Sequence, residues 1–176
     1  VYVRKGTSWS RIGETTGASF THNSLKNNTT YVYTVRALDK KNNFVSDFNR
    51  DGYSNVFIAP PVISSIENVD GGVKIKWSKN RYVPSYRVYR KTKNTSWTRI
   101  GSTKNGSFTD TTATSGASYT YTIRALDKKE KFISYFNGGK GITYVKAPII
   151  TKIENTATGS KITWSKSSGA AKYRVY

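Results

Sequence analysis

The residues of this chain with chemistry to offer are its cations and aromatic rings. The segment Tyr86-Arg87-Val88-Tyr89-Arg90-Lys91 alternates at period two. In an extended strand, Tyr86 and Val88 then share one face and Arg87, Tyr89 and Lys91 the other. A second run sets Tyr119, Tyr121, Ile123 and Ala125 against Thr120, Thr122 and Arg124. Rings flanked by cationic donors suit stacking on sugars or bases and pairing with phosphate or carboxylate. The competing role for the same residues is structural, with rings covering a sheet and arginine stems lying across it.

Acid–base, nucleophilic and metal chemistry find little support. His22 is the single histidine, and cysteine is absent, which removes disulfides and thiolate metal sites. The acidic residues are scattered rather than set at calcium-loop spacing. No catalytic, cofactor or metal residue is therefore assigned, and an enzyme is not expected. Glu67-Asn68 recurs as Glu154-Asn155, a pattern open to reading as a Lys–Asn crosslink site. Lys74 and Lys76, however, alternate outward, opposite Trp77. Charge is lopsided: 29 Lys and Arg face 10 Asp and Glu, for a net +19. Such a field draws polyanions, among them anionic glycans and cell-wall polymers; solubility and protection of sheet edges explain it equally. Nucleic acid is a less favoured partner. No apolar run reaches the ~20 residues that span a bilayer, so no membrane insertion is expected.

The elements that must position these residues repeat with a period of 87 to 88. Trp9-Ser10-Arg11-Ile12-Gly13 returns as Trp97-Thr98-Arg99-Ile100-Gly101, and Tyr31 to Lys41 returns as Tyr119 to Lys129. Lys74-Ile75-Lys76-Trp77-Ser78-Lys79 returns as Lys161-Ile162-Thr163-Trp164-Ser165-Lys166. A unit of that length suits one small β-sandwich. Within it, Val73, Ile75 and Trp77 alternate with lysines, and turn clusters such as Asp70-Gly71-Gly72 and Asn137-Gly138-Gly139 separate the runs. The pattern predicts an all-β chain of short strands, with Trp77 and Trp164 in cores. Trp9 and Trp97 are expected either to pack across a sheet edge or to stand exposed as sugar platforms.

The order Pro60 or Pro61, Trp77, Tyr86-Arg87-Val88-Tyr89 and Tyr119 through Ala125 resembles the fibronectin type III domain. Leu25 to Tyr31 is similar to that family's turn into a tyrosine corner. The second copy, Ala113 to Tyr119, carries alanine for leucine, which implies looser packing there. The wording resembles tandem modules of surface and secreted proteins of Gram-positive anaerobes. The resemblance implies tandem immunoglobulin-like β-sandwiches, seven strands per module, lettered A, B, C, C′, E, F and G. Residues 1–59 would then be a partial module (C to G), 60–147 a complete one, and 148–176 a partial one (A to C). The resemblance sets strands C and F side by side, making Arg87, Tyr89, Lys91 and Arg124 one face. Lys128 and Lys129 follow it, and Trp97 lies nearby. The recurring Phe-x-Ser-x-Phe-Asn segment (44–49, 132–137) falls in a long F–G connection. Its rings are expected to tuck against the sandwich end or the next module, or to form a ligand loop.

Three functions follow from this reading. The first is a non-catalytic extracellular spacer or stalk and scaffold, secreted or attached at a cell surface, whose partners are neighbouring repeats. Short connections such as Lys146-Ala147-Pro148 restrict its hinges. The second is adhesion to anionic glycans through the basic aromatic face. In the third, the split terminal modules complement each other head to tail in a fibre. A window of a longer repeat array is the alternative to that complementation.

Overall fold

Period-two alternation becomes strand wherever a partner strand is present to receive it. The computed structural model describes all 176 residues as thirteen strands, every pairing antiparallel. The chain is all-β, and no helix is long and apolar enough to cross a membrane. It divides into two compact units, Val1–Ala59 and Pro60–Tyr176.

In the second unit, β5 (Ile63–Val69), β6 (Gly72–Trp77) and β9 (Ser107–Asp110) form a three-stranded sheet. Gly71, at φ +76°, takes the left-handed conformation demanded by the two-residue turn between β5 and β6. A four-stranded sheet has the order β11 (Lys140–Thr143), β10 (Ser118–Leu126), β7 (Ser85–Lys91), β8 (Thr98–Thr103). The two sheets face each other as a β-sandwich. Val73, Ile75 and Trp77 from one are buried with Tyr86, Val88, Tyr121 and Ile123 from the other, and the Trp77 and Tyr86 rings meet edge-on at 5.4 Å. Each such aliphatic residue, fully buried, contributes about 1.5–3 kcal/mol. A separate hairpin, β12 (Ile150–Thr156) with β13 (Gly159–Trp164), follows.

The first unit is a single sheet in the order β2 (Ser8–Arg11), β1 (Tyr2–Lys5), β3 (Thr29–Thr34), β4 (Tyr53–Phe57). Its strands repeat those of the β11-β10-β7-β8 sheet, yet two near-identical sequences fold differently. Ser107-Phe108-Thr109-Asp110 is a strand because β6 pairs with it, whereas Ser19-Phe20-Thr21-His22 has no partner and stays irregular. Likewise β10 runs to Leu126 along β7, whereas β3 stops at Thr34, where its pairing with β1 ends.

Tyrosines bind the turns. The Lys26 N–H donates to Tyr31 Oη at 2.9 Å and the Thr114 N–H to Tyr119 Oη at 3.1 Å, so the corner bond forms with leucine or alanine upstream. Similarly, the Asn80 N–H donates to Tyr86 Oη and the Ser167 N–H to Tyr173 Oη, both at 2.7 Å.

Candidate functional site

The pairing of β7 with β10 sets Arg87 opposite Arg124, Tyr89 opposite Thr122 and Lys91 opposite Thr120. Alternation turns these side chains to the outer face of the sheet, and Trp97 joins them from the residue just before β8. Five of the seven residues singled out for a ligand face are thus brought together: Arg87, Tyr89, Lys91, Trp97 and Arg124. Lys128 and Lys129 lie apart from them, exposed at the tip of the turn after β10.

That face is occupied by the protein itself. A bridge between Leu126 and Phe132, with the Ile133 N–H donating to the Ala125 carbonyl at 3.0 Å, turns the β10–β11 connection back over the sheet. Its phenylalanines therefore lie on the outer face, rather than at the sandwich end or on a neighbouring module. The Arg124 guanidinium sits 3.5 Å from the Phe132 ring centroid and 4.8 Å from that of Phe136. Arg87 stands 5.1 Å from Phe132 and reaches Glu130 at 3.5 Å. Phe136 stacks on Trp97 (6.0 Å between centroids, 10° between planes) and meets Tyr89 edge-on at 5.2 Å. Lys91 Nζ caps Trp97 at 4.8 Å. Cations and rings alternate in one ladder, with Phe132, Phe136 and Trp97 each holding a charge that a bound anion would otherwise claim. Thr122, on the same outward row, is wholly buried beneath the loop.

Short polar side chains hold the loop in place. Asp127 Oδ1 accepts from the N–H groups of Lys129 and Lys131, both at 2.8 Å, closing the turn that carries the lysines. Ser134 Oγ accepts from the Ala125 N–H at 2.9 Å, and its carbonyl receives Arg124 Nε at 3.0 Å. Asn137 Oδ1 receives the Gly139 N–H and the Thr122 hydroxyl, both at 3.0 Å. Gly139 has φ +76°, and a Cβ there would lie 2.5 Å from the Tyr121 carbonyl oxygen.

The first unit repeats the device. Arg36 sits 3.7 Å from the Phe44 centroid, Arg4 sits 4.8 Å from Trp9, and Trp9 meets Phe48 at 6.1 Å. Asp39 and Ser46 make the bonds of Asp127 and Ser134, whereas Asn49 Oδ1 accepts from the Asp51 and Gly52 N–H groups and its backbone carbonyl from the Thr34 hydroxyl. Hydrogen bonds, the Asn43 N–H foremost, hold the Asp39 carboxyl below its ordinary pKa. The recurrence of Phe-x-Ser-x-Phe-Asn is the recurrence of this latch.

Sequence reasoning missed the most buried charge. Asp110, 2% exposed, accepts from Arg90 Nη1 at 2.7 Å and Tyr121 Oη at 2.8 Å. The Thr112 N–H and hydroxyl add bonds of 3.0 and 2.7 Å. Burial opposes ionisation of Asp110, but the bonds from Thr112, Tyr121 and Arg90 outweigh it and keep its pKa below the ordinary carboxylate value. Burial and the neighbouring carboxylate push the Tyr121 hydroxyl up. One signal was available: alternation that turns Arg87, Tyr89 and Lys91 outward turns Arg90 inward, and an inward arginine requires an acid. In the first unit His22 takes the place of Asp110, with Nδ1 3.0 Å from Tyr33 Oη and its ring edge-on to Tyr31 and Tyr33. The strand register sets Val3 where Arg90 stands, so both members of the ion pair are exchanged together.

The first Glu-Asn pair also has structural partners. Glu67 pairs with Lys76 at 3.0 Å on the exposed side of the β5–β6 hairpin, and Asn68 Nδ2 donates to the Thr143 carbonyl at 3.0 Å. Nowhere do three or more His, Cys, Asp or Glu side chains gather as a metal site.

No family model and no curated protein matches the chain. Among solved structures it is similar to a β-1,2-glucanase from Parabacteroides distasonis, at 19% identity and a TM-score of 0.44. That likeness takes in 49% of this chain and 12% of the glucanase. The chain corresponds to a small fraction of that protein's length.

Proposed function

We propose that this chain consists of fibronectin type III-like repeat modules of a bacterial surface or secreted protein, and that its role is that of a non-catalytic extracellular spacer and scaffold. The observation that carries the reading is the junction after Tyr144. The Ser115 hydroxyl donates to the Ser168 carbonyl at 2.9 Å and accepts from the Lys146 N–H at 3.0 Å. Gly169 packs against Gly116 and Val145 at 3.1 and 3.2 Å from its Cβ position. One hydroxyl thus clips the end of one repeat to the start of the next, and Pro148 stiffens the three-residue connection. A spacer needs such a junction, because its reach depends on successive modules keeping one orientation. The tyrosine bonds and the facing sheets support the family resemblance.

Backbone ¹⁵N relaxation tests the reading. Amides of β12–β13 should share one rotational correlation time with those of β5–β10, and Ser115→Ala should shorten it for the hairpin alone. A hairpin already tumbling separately in the unmodified chain would sink the spacer reading.

The net charge of +19 favours a second reading, adhesion to an anionic polymer. The latch directs where such binding would fall. Lys128 and Lys129 are free at the turn tip, whereas Arg124 is sandwiched between phenylalanine rings. Retention on a sulfated polysaccharide should then weaken with salt and drop in Lys128→Glu/Lys129→Glu. Retention unaltered by that double change would count against the adhesion reading.

A further inference from the structure

Two turns of the β-sandwich carry the dipeptide Asn-Gly: Asn105-Gly106 between β8 and β9, and Asn137-Gly138 in the β10–β11 connection. These two residue types, in that order, have a chemistry of their own. The glycine backbone nitrogen can close a five-membered ring on asparagine Cγ, and no glycine Cβ shields it. In that step the nitrogen gives its proton to solvent and bonds to Cγ. The Cγ–Nδ2 bond then breaks, and Nδ2 takes up a proton from water and departs as ammonia. Water opens the resulting succinimide at either carbonyl, leaving aspartate or iso-aspartate. Nothing is oxidised or reduced, and water is the sole co-reactant.

The fold treats the two asparagines oppositely. Asn137 is tied through both heteroatoms of its amide. Its Oδ1 accepts from the Gly139 N–H and the Thr122 hydroxyl, both at 3.0 Å, and its Nδ2 donates to the Pro61 carbonyl. To meet the Gly138 nitrogen, that amide must leave all three partners. Asn105 is tied through its backbone, whose N–H donates to Thr103 Oγ1 at 3.0 Å. Its side-chain amide stands exposed and is free to rotate onto Gly106. Gly106, in contrast, is fixed. Its carbonyl accepts from the Trp77 N–H at 2.8 Å, and a Cβ on it would lie 2.7 Å from the Trp77 carbonyl oxygen.

We propose that Asn105 is a site of spontaneous modification in the folded chain, converting through a succinimide to aspartate and iso-aspartate while Asn137 is preserved, and that the iso-aspartyl product unfastens β9 from β6 at Trp77. Iso-aspartate routes the backbone through the former side chain and adds a methylene just before Gly106. Gly106 has no slack to absorb it, because its carbonyl holds the Trp77 N–H and its Cα lies against the Trp77 carbonyl. The next residue, Ser107, opens β9 opposite Lys76. Trp77 itself is a core residue, 4% exposed. A longer backbone at residue 105 therefore acts first on the bond that ends the β6–β9 ladder. Aspartate keeps the original backbone length and leaves that bond in place.

Peptide mapping by mass spectrometry, after incubating the 176-residue chain in mildly alkaline buffer, tests this. In the folded chain the peptide holding Asn105 should gain the mass of amide-to-acid conversion about tenfold faster, or more, than the peptide holding Asn137. In urea the two should convert at comparable rates, since both are Asn-Gly and the hydrogen bonds are gone. Hydrogen exchange on the separated products should show the Trp77 amide losing protection in the iso-aspartyl form and keeping it in the aspartyl form. Asn105→Gln changes an exposed position and lengthens the side chain past the five-membered ring. That variant should neither convert at residue 105 nor lose Trp77 protection over the same incubation. Equal conversion at both sites in the folded chain overturns the proposal. So does an Asn105 that converts in urea alone, or an iso-aspartyl form whose Trp77 amide stays protected.

Discussion

At the residue scale, the two units contain a substitution experiment of their own. Asp110 is a buried carboxylate whose bonds are all inside the sandwich, and Arg90 neutralises it. Removing one partner strands the other, so Asp110→Ala should cost about 3–5 kcal/mol by urea denaturation of the second unit. The first unit shows the compatible alternative, valine with histidine. Arg90→Val/Asp110→His should accordingly lose less than the sum of its single changes, with a coupling of about 0.5–3 kcal/mol. Strict additivity would mean that the pair is not a unit. The lowered pKa of Asp110 sets a pH dependence as well. A depressed folded-state value stabilises fully above the unfolded carboxylate value, about 3.9, and is lost as pH falls below it through the folded value. Melting temperature followed from pH 6 to pH 2 should fall steeply at the acid end. Asp110→Asn should flatten that fall.

At the element scale, the β10–β11 connection behaves as a part of the sheet rather than as a loop. Phe136 bridges Trp97 and Tyr89, and each aromatic pair contributes about 0.5–1.5 kcal/mol beyond burial. Phe136→Ala should therefore lower stability by about 1–2 kcal/mol and open residues 127–139 to proteolysis. Gly139→Ala acts from the other end. Its Cβ would strike the Tyr121 carbonyl at a positive φ, and a loss above about 1 kcal/mol is expected. Chemical denaturation with limited proteolysis reads both. Cleavage unaltered in Phe136→Ala would show that the rings do not hold the loop. The element scale is also where identical sequence gives different structure: Ser-Phe-Thr is strand in β9 and irregular in Ser19–Thr21. Strand is a property of the pair, because its hydrogen bonds lie between strands rather than within one.

At the scale of the whole molecule, the two units differ in cover more than in sequence. The second has a three-stranded sheet over a four-stranded one, whereas the first keeps valine and tyrosine on an open face. A lone sheet buries less apolar surface per residue and is correspondingly less stable. Calorimetry at low micromolar concentration should resolve two transitions, the lower one from Val1–Ala59. A single cooperative transition would contradict this ranking.

Much of the architecture was legible in local pattern. Alternation in Val73-Lys74-Ile75-Lys76-Trp77 and in Tyr119 to Ala125 fixed which side chains point inward, because a pleated strand allows only that parity. The repeat identified equivalent residues, and Asp-Gly-Gly marked a turn. The candidate face was legible as a list of cations and rings, again from parity alone. Its cover was not. Phe132 and Phe136 reach Arg124 only because the Leu126–Phe132 bridge folds the connection back, and nothing in the loop's composition states that direction. Arg90 and Asp110 lie 20 residues apart, on different sheets, and meet only when those sheets face each other. Sequence by itself determined the alternation, the inward faces it implies and their repetition, which are short-range consequences of chirality and pleat. Tertiary structure alone decided which faces are covered, which charges are paired and which strands have partners, since each depends on what the rest of the chain brings alongside.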